Sequence, residues 1–141
     1  MEMSDFAKRM VAAKKEEVGE QRRKDDKDVS DRSMLTSWLG PMWEDVKKAT
    51  RRYTEEINQG MGNQVLFLLD SEDGQSFSIK HRTNSGTVRL DRARWAILGS
   101  QGQLYNLTIV EGNGVVWKYH PNSYTSEQVA AREVELAFMG R

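Results

Sequence analysis

After Gly60 the spacing of apolar residues changes from a helical period near 3.6 to a strict alternation, and turn residues recur about every ten positions. A chain patterned in this way places helix first and antiparallel sheet second. The alternation predicts six strands, at about 64–70, 75–82, 86–91, 94–99, 103–110 and 115–120. Between them stand Ser71-Glu72-Asp73-Gly74, Thr83-Asn84-Ser85-Gly86, Gly99-Ser100-Gln101-Gly102 and Glu111-Gly112-Asn113-Gly114, with a tighter corner near Arg92. Val65 to Leu69 is continuously apolar, which predicts a strand covered on both faces. A last helix follows: Thr125 and Gln128 make a capping box, Gly140 stands where a helix-ending glycine belongs, and Ala130, Val134, Ala137 and Phe138 form the buried stripe.

Before Gly60 one helix is well specified. Gly40-Pro41 supplies a start, since proline loses no hydrogen bond at the first helical position, and Gly60 supplies a stop. Met42, Trp43, Val46, Ala49, Tyr53 and Ile57 fall within roughly 120° of arc, the width of a core-facing stripe. Glu44, Lys48, Arg51, Arg52, Glu55 and Glu56 take the other side. A short helical turn over 33–39 brings Met34, Leu35, Trp38 and Leu39 to one edge of the core.

Residues 1–33 differ in kind. They carry 18 charged side chains and ten apolar ones, and 19–28 contain no apolar residue. Ser4 can N-cap a helix bearing two narrow stripes, Phe6, Met10 and Ala13, and Ala7, Val11 and Val18. With so little to bury, 1–33 reads as a charged arm, helical or disordered, and 34–141 as one domain. The fold class is α+β: N-terminal helices, a six-stranded, strongly bent, barrel-like antiparallel meander, and a C-terminal helix packed on it.

Chemistry is thinly represented. The chain has 141 residues and no cysteine, which removes disulfides, thiolate metal sites and a cysteine nucleophile. His81 and His120 stand outside any metal or catalytic motif, and no Gly-x-Ser-x-Gly elbow occurs. Gly60-Met61-Gly62 leads into a strand rather than a helix, so it makes no dinucleotide cradle. Asp70, Glu72 and Asp73 cluster in a turn, where acidic residues are common for backbone reasons. No cofactor and no metal is expected. No apolar run reaches the roughly 20 residues of a membrane span. The N-terminus, with Glu2 and Asp5 and no apolar core, is not a secretory signal, so a cytoplasmic protein is expected.

One electrostatic asymmetry remains in a chain of zero net charge. Between Gln75 and His120, Lys80, Arg82, Arg89, Arg92, Arg94 and Lys118 face only Asp91 and Glu111. Matching Ile79 to Leu90 and His81 to Val88 across the second turn sets Lys80 opposite Arg89 and Arg82 opposite Thr87, three cations within about 5–8 Å. Such a group attracts a phosphate or a carboxylate. Lys118 groups instead with Val116 and Leu107. Trp95, Trp117, Tyr105, Tyr119 and Tyr124 lie among the basic strands, as stacking residues of a nucleic-acid platform do, but Trp117 and Tyr119 alternate with Val115 as core residues would.

Three functions are compatible with these residues. The first is a non-enzymatic binding or protein-interaction module whose arm engages a protein partner or a second copy. The second is an anion or nucleic-acid binder using Lys80, Arg82, Arg89, Arg92 and Arg94. The third is a small-molecule pocket or enzyme between the sheet and Trp43, Tyr53 and Phe138.

Overall fold

A computed structural model describes residues 3–112 and 114–140. Glu2 of the N-terminal segment and Asn113 of the last predicted turn lie outside the described residues. The element order is α1 (Asp5–Met61), β1 (Phe67–Asp70), β2 (Ser76–His81), β3 (Asn84–Asp91), a 3₁₀ turn (Arg92–Arg94), β4 (Ala96–Leu98), β5 (Leu104–Val110), β6 (Gly114–Tyr119), β7 (Asn122–Tyr124) and α2 (Ser126–Met139). The protein is α+β: one antiparallel meander in sequence order, with a helix at either end of the chain. The sheet has seven strands rather than six, the last being a three-residue strand after Pro121, and it is open, since β1 and β7 do not pair. The barrel-like closure expected from the sequence is absent.

The chain divides into two compact units, Met1–Met34 and Leu35–Arg141. In the first, Ser4 caps the helix, its Oγ accepting from the Ala7 N–H at 3.2 Å. The stretch from Gly19 to Asp28 is helical. Asp5/Arg9, Glu20/Lys24, Arg22/Asp26, Lys24/Asp28, Lys27/Asp31 and Asp28/Arg32 are opposite charges at i, i+4. That spacing supports a helix that buries little, each pair contributing about 0.2–0.5 kcal/mol.

In the second unit the expected helix start at Gly40-Pro41 is overturned. Pro41 lies inside α1, which runs unbroken to Met61. An interior proline removes one N–H from the ladder and costs about 3 kcal/mol. The burial of Leu39 and Trp43, four residues apart on either side of Pro41, offsets it. Further along the same face Val46, Ala49, Thr50 and Thr54 are buried, and the two threonine hydroxyls donate back to the carbonyls of Val46 and Thr50 at 2.7 Å. Met42, Tyr53 and Ile57 pack at the core's margin.

Both helices cover one face of the sheet. Phe77, Ile79, Val88, Leu90, Ile97, Tyr105, Leu107 and Trp117 point inward, meeting Leu39, Trp43, Val46 and Ala49 of α1 and Val129, Ala130 and Val134 of α2. Trp43 stacks on Phe77 at 5.5 Å between ring centroids and donates its indole N–H to the Gly74 carbonyl at 2.8 Å. Asn58 fixes the entry to β1: its Oδ1 accepts from the backbone N–H groups of Val65 and Leu66, and its Nδ2 donates to the Leu66 carbonyl. The strand that follows is not covered on both sides. It is an edge strand, with Phe67 at 43% and Leu69 at 61% exposure on the outer face. A continuous apolar run marks apolar residues on both faces without ensuring that both find cover.

The register of β2 against β3 is also corrected. Phe77 opposes Val88, Ile79 opposes Gly86 and Lys80 opposes Ser85, so the chain turns at Arg82-Thr83 and Asn84, Ser85 and Gly86 belong to β3. Relative to the pairing of Ile79 with Leu90, this is a slip of four residues. An even slip keeps every side chain on its face, so alternation does not distinguish the two. Gly86 is the discriminating position. Ser100 lies so close that a Cβ there would come within 2.7 Å of the serine's own Cβ.

Candidate functional site

The five basic residues named from the sequence do not form one cluster. Lys80 stands on the outer face between Phe67 and Ser85, whereas Arg89 stands between Ser76 and Leu98. They share a face, but four residues of strand, roughly 13 Å, separate them. Arg82 occupies the turn with φ of 56°, a left-handed conformation uncommon for a side chain of its size. Arg92 donates its Nε–H to Gln75 Oε1 at 2.6 Å, and Arg94 lies 3.7 Å from the Asp91 carboxylate. The close trio of cations is therefore replaced by single side chains, some with partners.

Arg89 borders a surface groove of about 430 Å³ with Glu72 and Asp73. Hydrogen bonds from the Gln75 backbone N–H and the Ser71 hydroxyl hold the Asp73 carboxyl below the usual carboxylate range, and the charge of Arg89 adds a smaller part. Lys118 joins the outer face after all. It opposes Asn106, in the row that runs through Ala96 to Asp91, while Leu107 opposes Trp117 on the inner face.

Of the aromatic residues of the last strands, Tyr105 and Trp117 serve the core, whereas Tyr119, expected there from its alternation with Trp117, is exposed. Trp117 and Tyr105 are fully buried, and the Trp117 indole donates to Ser126 Oγ at 3.0 Å. That hydroxyl in turn donates to the Met42 carbonyl, so it is committed on both sides. Trp95 is half-buried, with its indole N–H on Thr36 Oγ1. The Arg132 guanidinium lies over the rings of Tyr119 and Tyr124 at 5.4 and 5.8 Å and donates to the Tyr124 hydroxyl.

The most unusual polar group is one the sequence did not single out. Glu133 on α2 is completely buried. Its Oε2 accepts from the Ser100 hydroxyl at 2.6 Å and the Ser100 backbone N–H at 3.2 Å, and its Oε1 accepts from the Tyr105 hydroxyl at 3.0 Å. Gly99 approaches so closely that a Cβ there would collide with both Glu133 Oε1 and Gln103 Oε1. The carboxylate thus ties α2 to the β4–β5 turn. Its signal was present in the sequence: on the helix it falls between Ala130 and Ala137, on the apolar side.

Ser100 with Glu133 has the geometry of a nucleophile and its base, but the Ser100 N–H, the nearest candidate to stabilise an oxyanion, is spent on the same carboxylate. The arrangement anchors a turn. Burial, and next the charge of Glu133, push the Tyr105 phenol well above its ordinary value. An unfolded tyrosine ionises near pH 10 while folded Tyr105 stays neutral, so this contribution to stability is intact below about pH 10 and is lost as pH rises above it. Alkaline unfolding should accordingly begin at higher pH in Tyr105→Phe, once its lower stability at neutral pH is subtracted. Ultraviolet phenolate titration alongside circular dichroism measures both, and a Tyr105 phenol that ionises normally in the folded protein would contradict the expectation.

A surface cleft of about 570 Å³ lies between α1, β6 and α2, lined by Met42, Asp45, Lys48, Arg52, Val116 and Glu127 among others. Its charges balance, with Arg52 at 3.6 Å from Glu127. His81 packs edge-on against Phe138 at 5.2 Å, and His120 is exposed. Among the described residues no three His, Cys, Asp or Glu side chains gather to hold a metal, and no helix is long and apolar enough to cross a membrane.

A further surface feature is the helix of the first unit, where Phe6 and Val29 are 65% and 66% exposed and Met10, Val11 and Val18 are exposed with them. Comparison with protein-family models, with curated proteins and with solved structures finds no match to this chain.

Proposed function

We propose that this protein is a non-enzymatic interaction module whose N-terminal charged helix engages a protein surface. The observation that carries the reading is the exposure of Phe6, Met10, Val11, Val18 and Val29 on a helix held by its own charge pairs. Exposed apolar side chains on a helix gain from burial against an apolar partner, at roughly 25 cal/mol per Å², and Val11, Val18 and Val29, seven and eleven residues apart, fall on one face. The charged residues among them keep such a helix soluble while unbound and select the partner by charge.

A photoreactive benzoylphenylalanine in place of Phe6 or Val29 tests this in cells that make the protein. Discrete crosslinked products of fixed mass are expected at these positions and not at Glu20 or Lys27. Equal, diffuse labelling at all four positions would overturn the reading.

A further inference from the structure

Granting that the charged helix is a binding surface, its own charge order names the occupant. We propose that the helical segment 5–34 pairs antiparallel with the same segment of a second copy, about a two-fold axis between Gly19 and Glu20. Val11, Lys14, Val18, Asp25 and Val29 follow one another at spacings of three, four, seven and four residues, so they share one face of α1. That face is exposed along its length.

Charge runs along it in blocks. Lys8, Arg9, Lys14 and Lys15 form a basic block, Glu16, Glu17 and Glu20 an acidic one, Arg22, Arg23 and Lys24 a second basic one, and Asp25, Asp26, Asp28 and Asp31 outnumber Lys27 and Arg32 in the last. In a parallel, in-register pair each block would lie beside itself, with Lys14 on Lys14 and Asp25 on Asp25 of the other copy. Antiparallel pairing about position 19.5 instead puts Lys14 level with Asp25 and Val11 level with Asp28, one residue short of Val29, and each contact occurs twice by symmetry. Glu17 and Lys24 face each other on one flank. On the other, Lys15 comes beside Arg22, both exposed and long enough to bend into water.

Because charge supplies most of the selectivity and valine little area, the dimer is weak and salt-sensitive. Its dissociation constant is expected to rise about tenfold or more between low and high ionic strength.

Sedimentation equilibrium on the full chain over a wide concentration range, at low and high salt, gives the first measurement. Lys14→Glu alone and Asp25→Lys alone should each abolish dimerisation, and the double variant should restore it, since the exchanged charges attract again. Both sites are exposed, so the helix should survive the changes, as circular dichroism of each variant checks. The chain has no cysteine of its own, so orientation is tested by oxidation. Val11→Cys with Val29→Cys should give a disulfide-linked dimer, because position 11 lies within one residue of the level of position 29 in the other copy, while Val11→Cys alone should not, because the two copies of position 11 lie about 26 Å apart along the antiparallel pair. Crosslinking by Val11→Cys alone, or failure of the double charge swap to restore association, would overturn the antiparallel dimer. A chain that stays monomeric at low salt yet crosslinks to a different protein through Phe6 would overturn the second copy as occupant and leave the binding role of the helix standing.

Discussion

Trp43→Ala is expected to lower the stability of the protein by about 3–5 kcal/mol, the usual loss for truncating a buried tryptophan. Trp43 is 1% exposed, stacks on Phe77 and gives its indole N–H to the Gly74 carbonyl, so the change opens a cavity and strips that carbonyl of a donor. Trp43→Phe keeps most of the volume and loses the hydrogen bond, and should cost less. Lys48→Ala, on the exposed side of the same helix, should change stability by no more than about 0.5 kcal/mol. Urea unfolding followed by circular dichroism compares the three. Equal losses at Trp43 and Lys48 would mean that α1 is not held against the sheet by its apolar face.

Removal of the Glu133 carboxylate should have an effect of similar size. Glu133→Ala leaves the Tyr105 hydroxyl and the Ser100 N–H without their acceptor and opens space beside Gly99. At about 1–3 kcal/mol for each of these two buried groups left unsatisfied, the total loss is about 2–6 kcal/mol. Glu133→Gln retains the shape and one carbonyl oxygen, but its NH₂ must face a donor at Ser100 or Tyr105, so about 1–3 kcal/mol is lost. Hydrogen exchange distinguishes local from global damage: amides of the Gly99–Gly102 turn should lose protection in Glu133→Gln before those of β2 and β3 do. Unchanged protection at that turn would show that the carboxylate does not hold it.

These two residues differ in how far the sequence disclosed them. Trp43 belongs to a stripe visible from spacing alone, and its burial follows from the need to cover a face that is apolar over a third of the helix. Glu133 sits just as clearly on the apolar side of α2, yet a carboxylate in a pattern reads as solvated. Its burial depends on three donors, Ser100 N–H, Ser100 OH and the Tyr105 OH, carried by residues 28 to 33 positions away. Nothing local in the helix encodes them. The basic face shows the same limit: Lys80, Arg89 and Lys118 share a side, as alternation can decide, but their separation depends on register.

By itself the sequence determined the class of the fold, the inward or outward face of most strand residues, the capping box at Thr125 with Gln128, and the charged character of the first thirty residues. Those properties are local, because a helix or a strand repeats within a few residues and its caps are read from their neighbours. The tertiary structure decided the rest. It carried α1 through Pro41, because burial of Leu39 and Trp43 on either side outweighs a broken ladder. It left β1 at an open edge with Phe67 and Leu69 exposed, because cover on its second face has to come from elsewhere in the chain. It chose among even registers at β2 and β3, which an alternating pattern leaves equal until Ser100 packs on Gly86.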